Sequence, residues 1–147
     1  LQRNGFDKEA FDLAKRHHEQ VAEVFKKTHT FWEYYAPEAT EPGLLARPDF
    51  VGWTGLVPIS VLFESLFGIN ANYLKKTIEW RVNLTEEHGI DRYPIGPEGM
   101  LSLKCAARSS AKQRPTIEIK SNLELVLLLS WEGGSETIQL HSGLNKI

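Results

Sequence analysis

The hydrophobic period of this chain changes once, near residue 70, and that change restricts it to a helical part followed by a sheet part. From Phe6 to about Lys27 the apolar residues Phe11, Ala14, Val21, Val24 and Phe25 recur at helical spacing and mark one face. Asp7 reads as an N-cap, Glu9 puts negative charge in the first turn, Phe6 is placed to pack on Phe11, and Lys26 and Lys27 suit the C-terminal end. Gly52 to Gly68 predicts a second helix, with Thr54 as cap, Pro58 in the first turn and Gly68 as the stop. Ile59, Val61, Leu62, Phe63, Leu66 and Phe67 make it apolar on nearly every side, with Glu64 the main exception. A helix of that kind is buried within a larger assembly, and two helices cannot bury it by themselves.

Beyond Asn70 the pattern is that of strands. Thr77–Val82, Met100–Cys105 and Thr116–Lys120 alternate with period two, Leu123–Leu129 is continuously apolar and reads as a central strand, and Glu136–Leu140 is a further short strand. Gly96-Pro97-Glu98-Gly99, Ser121-Asn122 and Gly133-Gly134 are the turns between them. The natural boundary lies near Ile69–Tyr73, which gives a helical segment over residues 1–70 and a β-rich segment over 71–147, the latter a small antiparallel sheet or sandwich.

Composition narrows the function classes. A length of 147 residues suits one domain or a piece of a larger one, and a formal charge of −2 gives no electrostatic reason to expect nucleic acid or an anionic membrane as partner. The one cysteine, Cys105, excludes an intrachain disulfide and a cysteine-based metal site, and its apolar surroundings predict inert burial. The longest apolar runs are too short to span a bilayer as a helix. Asn83-Leu84-Thr85 is a formal glycosylation sequon, meaningful only in a secreted eukaryotic protein. A chain that opens on Leu1 and holds a single methionine, Met100, suggests a fragment or a processed product.

The chemistry-bearing residues cluster between the two helical segments. Phe31-Trp32-Glu33-Tyr34-Tyr35-Ala36-Pro37-Glu38 and, after a loop, Arg47-Pro48-Asp49-Phe50-Val51-Gly52-Trp53-Thr54-Gly55-Leu56 combine rings, carboxylates and backbone breaks. Rings stack on the apolar faces of pyranoses and carboxylates accept hydroxyl hydrogen bonds or move protons, so the cluster suits a sugar site. It equally suits a packed corner with solvated charges. Glu33 is either a carboxylate whose pKa is raised by its aromatic neighbours or a solvated helix-end charge. Arg47 and Asp49 either bind a ligand hydroxyl or pair with each other, the ion pair being the stronger expectation, and Trp53 is either a stacking platform or core. Glu38 and Glu41, in a Pro-bounded loop, read as exposed. His17 and His18, adjacent on a helix, point about 100° apart and do not share a metal, and the other histidines have no partners at ligand spacing. No metal, nucleotide or other cofactor is implied.

The Trp-Glu-Tyr-Tyr-x-Pro-Glu and Phe-x-Gly-Trp-Thr-Gly-Leu pair resembles the C-terminal catalytic region of clan G glycosidases: glycoside hydrolase family 63, the related mannosylglycerate hydrolases, and the trehalases. The resemblance covers about residues 5–130. It implies the last helices of an (α/α)6 toroid followed by β-strands, and inverting hydrolysis of an α-glycosidic bond. It implies Glu33 as the general base, with Trp32, Tyr34, Arg47, Asp49 and Trp53 lining or supporting the sugar subsite. In such an enzyme an acid and a base stand about 6.5–9.5 Å apart across the scissile bond. The family's acid is an aspartate in an earlier segment, and neither Asp12 nor Asp91 lies in a context to replace it, so this chain alone should not hydrolyse. The partners implied are an oligosaccharide or small glycoside and the remainder of a barrel, or a partner chain, over Leu56–Phe67. Two rivals stand beside this reading: a non-catalytic carbohydrate-binding or accessory module using Trp32, Trp53 and Trp80, and a structural domain completed by a partner chain.

Overall fold

The structure, a computed structural model, describes residues 1, 4–50 and 55–147. It divides into two compact units, Leu1–Leu66 and Phe67–Ile147.

The first unit is built on α1 (Asp7–Thr28), whose first turn carries Asp7 and Glu9 and whose last turn carries Lys26 and Lys27, charges that oppose the helix dipole at each end. Phe6, not Asp7, occupies the N-cap position, and the residue is 51% exposed. His29 closes the helix in the left-handed conformation, at φ 57°. The second helix is far shorter than the Gly52–Gly68 pattern predicts. Its described part is α2 (Leu56–Val61), which runs into a π-helical turn over Leu62–Leu66. None of these residues is fully buried, and Leu56, Val57 and Ile59 are more than half exposed.

The expectation of the last helices of an (α/α)6 toroid is therefore wrong. Among the described residues there are two α-helices, one of them six residues long, and two sheets of four strands. A toroid of that kind is walled by full-length helices packed side by side, which a six-residue helix breaking into a π-turn does not supply. The described elements are those of a small sheet-rich protein. No described helix is long and apolar enough to cross a membrane.

The second unit holds β1 (Ile69–Asn72), β2 (Thr77–Arg81), β3 (His88–Ile95), β4 (Gly99–Cys105), β5 (Ile117–Ser121), β6 (Leu125–Trp131), β7 (Gly134–Leu140) and β8 (Gly143–Lys146). One sheet has the order β1-β2-β6-β7 and the other β3-β4-β5-β8. The sheets are not purely antiparallel. After β2 the chain crosses to build three strands of the other sheet and returns as β6 beside β2, parallel to it, with Trp80 opposite Leu129. β6 is central, flanked by β2 and β7. Period-two alternation sends Ile78 and Trp80 of β2, Leu101, Leu103 and Cys105 of β4, Ile117 and Ile119 of β5, and Leu125, Leu127 and Leu129 of β6 into one shared core, each at most 2% exposed. Each such side chain stabilises by about 1.5–3 kcal/mol relative to exposure. The Trp80 indole N–H is satisfied by the Phe67 carbonyl at 3.1 Å, so the largest core residue brings no unpaired donor inside.

Three strands escape the periodicity. β1 and β8 are four residues each, and β3 slips register between Ile90 and Tyr93, where Arg92 takes a positive φ of 58°. Pro94 sits on this edge strand, where a missing N–H costs no ladder bond.

A buried arginine ties the connecting segments together. Arg108, 8% exposed, donates from Nη1 to the carbonyls of Ala111 and Gln113 and from Nη2 to those of Val82 and Leu84. Its fork spans the chain that leaves β2 and the loop before β5. Arg114 adds a bidentate grip on Glu136 of β7, 2.7 Å at each contact, which holds the Glu136 carboxyl below its usual range. Cys105 is buried as its surroundings implied, and burial pushes its thiol up, away from thiolate chemistry.

An Arg108→Lys variant keeps the charge but loses the planar fork, and one ammonium does not reach four carbonyls in two segments. Its stability in urea titration should fall by about 1–3 kcal/mol. A loss within error of zero would mean that the guanidinium does not hold these segments.

Candidate functional site

The first motif leaves α1 and folds against the second in a narrow loop. Glu33 N–H donates to Arg47 O at 3.0 Å and Asp49 N–H to Phe31 O at 2.9 Å, so Trp32 and Pro48 form an antiparallel bridge. Farther along, Ala36 N–H donates to Glu41 O and Gly43 N–H to Tyr34 O, each at 3.0 Å, and Tyr35 bridges Pro42. The loop is also fastened to α1. Trp32 donates its indole N–H to Thr28 Oγ1 at 2.9 Å, Thr28 itself caps Val24 O, and Lys27 Nζ reaches Thr40 O. Phe31 packs on Phe25 with ring centroids 4.8 Å apart.

Five of the six expected site residues thus share one loop. Trp32 and Glu33 are half-buried, while Tyr34, Arg47 and Asp49 are exposed. Trp53 lies outside the described residues. The expected Arg47–Asp49 ion pair does not form. Asp49 instead accepts a short hydrogen bond from the Thr30 hydroxyl, and no side chain among the described residues pairs with Arg47. Glu38 and Glu41 are exposed.

The rings have structural duties as well. Tyr34 donates its hydroxyl to Leu44 O at 2.6 Å and lies against Gly43, where an added Cβ would collide with the ring. Tyr34 as a residue is nevertheless 41% exposed. The Glu33 carboxylate has no hydrogen-bond or ion-pair partner among the described residues. The residue is half-buried, and the acceptor capacity of its carboxylate is unused by protein.

Backbone strain marks the return strand. Leu45 has φ 64° and Asp49 φ 57°. The left-handed region is tolerable for Asp and costly for Leu, so the surrounding hydrogen bonds impose it. Thr28, Thr30, Tyr35 and Gly43 support the site and were not legible as such. Only Thr28 carried a signal, four residues before Trp32 on the helical repeat. Among the described residues, no three His, Cys, Asp or Glu side chains gather as a metal site.

No family model, curated protein or solved structure matches this chain.

Gly43→Ala should force the Tyr34 ring off the return strand and break its bond to Leu44, at a cost of about 1–3 kcal/mol. The Tyr34 ring resonances in NMR should shift while the helical far-UV signal of α1 persists. Unmoved Tyr34 resonances would show that the ring does not rest on Gly43.

Proposed function

We propose that the bridged loop over residues 30–50 is a carbohydrate subsite, with Glu33 as the acceptor of a sugar hydroxyl. Where a second carboxylic acid is supplied across the bound sugar, Glu33 is the base that draws the proton from water in inverting hydrolysis of an α-glycosidic bond. The observation that carries this reading is Glu33 itself: a half-buried residue whose carboxylate is unclaimed by protein among the described residues, held on a backbone closed by four hydrogen bonds. A carboxylate so placed is set for a ligand with several hydroxyls, and a preformed loop loses little entropy on binding one. Tyr34 and Trp32 supply apolar surface beside it, and Arg47 supplies donors. The motif resemblance points to the same residues. This chain alone is a binder in this reading, because the acid that the resemblance implies lies in an earlier segment of such an enzyme.

A second reading rests on the first unit's poor core. Its described buried apolar side chains are Ala10, Ala14, Val21 and Val24, whereas Leu13, Leu56, Val57 and Ile59 are exposed. A structural role, with a partner chain covering Leu56–Leu66, accounts for that imbalance.

Calorimetric titration of the full chain with trehalose, maltotriose and an α-mannobiose separates the two. The subsite reading expects binding of at least one sugar, a loss of about tenfold or more in affinity for Glu33→Gln, and no release of reducing sugar. Absence of binding to any of them, or equal affinity in Glu33→Gln, overturns it.

A further inference from the structure

His18, midway along α1, takes no part in the subsite. Its Nδ1 lies 2.9 Å from the Ala14 carbonyl oxygen, one turn back on α1, and its Nε2 lies 2.8 Å from the Pro58 carbonyl oxygen of α2. A carbonyl oxygen only accepts, so each ring nitrogen has to donate. An imidazole carries both N–H groups only as its cation. The neutral ring satisfies one carbonyl and turns a lone pair toward the other. We propose that His18 is a protonation-dependent clasp between α1 and α2, closed by the imidazolium and released by the neutral ring.

The contact is placed to matter. Among the described residues, His18 to Pro58 is the one hydrogen bond between the two helices. α2 has six residues, too few to hold a helix by itself, and none of them is fully buried. The Leu62 N–H that reaches Pro58 O also reaches Ile59 O, which leaves the Pro58 carbonyl a lone pair for the histidine.

The charges around the ring leave the clasp free to respond. His17, its neighbour, stands edge-on with ring centroids 5.7 Å apart. Burial first, and then the charge on His18, lower the pKa of His17 and favour its neutral form. Pro58, Ile59 and Leu62 of α2 and the π-turn, and Phe31 after α1, face the same groove of about 410 Å³ and bring no charge, while Lys26 of α1 is also at its wall. Glu64, on the π-turn, is exposed and accepts from Ser60. Lys15 and Glu19, beside His18 on α1, are exposed. Among the described residues no carboxylate lines the groove, and the carbonyl oxygens of Ala14 and Pro58 are the acceptors at the ring nitrogens.

The signs follow from linkage. The clasp has two bonds when both ring nitrogens carry N–H groups and one when a single nitrogen does, so it is complete in acid and loses a bond when the ring gives up a proton. His17 acts in the opposite sense, since charging it in its half-buried position costs stability as pH falls. The test therefore removes His17 first. In full-length His17→Gln, the thermal midpoint of the helical far-UV signal should drop by about 5 °C between about pH 5.5 and about pH 8. In His17→Gln/His18→Gln that drop should vanish. Equal pH slopes in the two, or a rise with pH in the first, overturn the proposal. A measurement on the unmodified chain stands apart from variant folding: at about pH 5.5, NMR should show both ring N–H protons of His18 in slow exchange. Fast exchange at either nitrogen overturns the clasp.

Discussion

The apolar core shared by the two four-stranded sheets is the interaction on which this protein's order depends. Trp80, at the centre of that core with its N–H satisfied by Phe67 O, and the alternating residues of β2, β4, β5 and β6 are removed from water almost completely. Loops of the same unit are then fixed by directed bonds rather than by burial, above all by the Arg108 fork and the Arg114–Glu136 pair. The parallel pairing of β2 and β6 makes the arrangement non-local, because strands some fifty residues apart in sequence must meet before either is covered.

The helical unit is held differently. Its described buried side chains are two alanines and two valines of α1, and its second helix gives way to a π-turn after six residues. What orders its loop is hydrogen bonding: the Glu33–Arg47 and Asp49–Phe31 pairs, the Trp32–Thr28 bond and the Tyr34–Leu44 bond. Such a loop is rigid where it is bonded and open where it is not, and Glu33 sits at the open point. Strain at Leu45 is the visible cost of closing it.

Most of the sheet was legible because each strand has one face in the core. Ile78 and Trp80, Leu101 and Leu103, Ile117 and Ile119 announce themselves by alternation. β3 hides because its bulge at Arg92 resets the alternation halfway, and β1 and β8 are too short to show a period. The second helix failed for the converse reason. An apolar run from Leu56 to Phe67 carries no signal for a π-turn, so it reads as one long helix where the backbone forms six residues of α-helix and then the π-turn. At the candidate site the sequence showed which residues belong together but not how. That Asp49 would turn to Thr30 instead of Arg47 depends on a left-handed backbone at Asp49 itself, which its neighbours do not announce.

Folding energy resides in the sheet core, while the candidate site rides on a unit held mainly by hydrogen bonds. Residue-resolved amide hydrogen exchange on the full chain tests it most directly. The slowest exchange should fall at Ile78, Trp80, Leu103, Ile119 and Leu127, with α2 and the loop over residues 30–50 exchanging at least about a hundredfold faster. Exchange as slow in α2 and that loop as in β2 and β6 would contradict it.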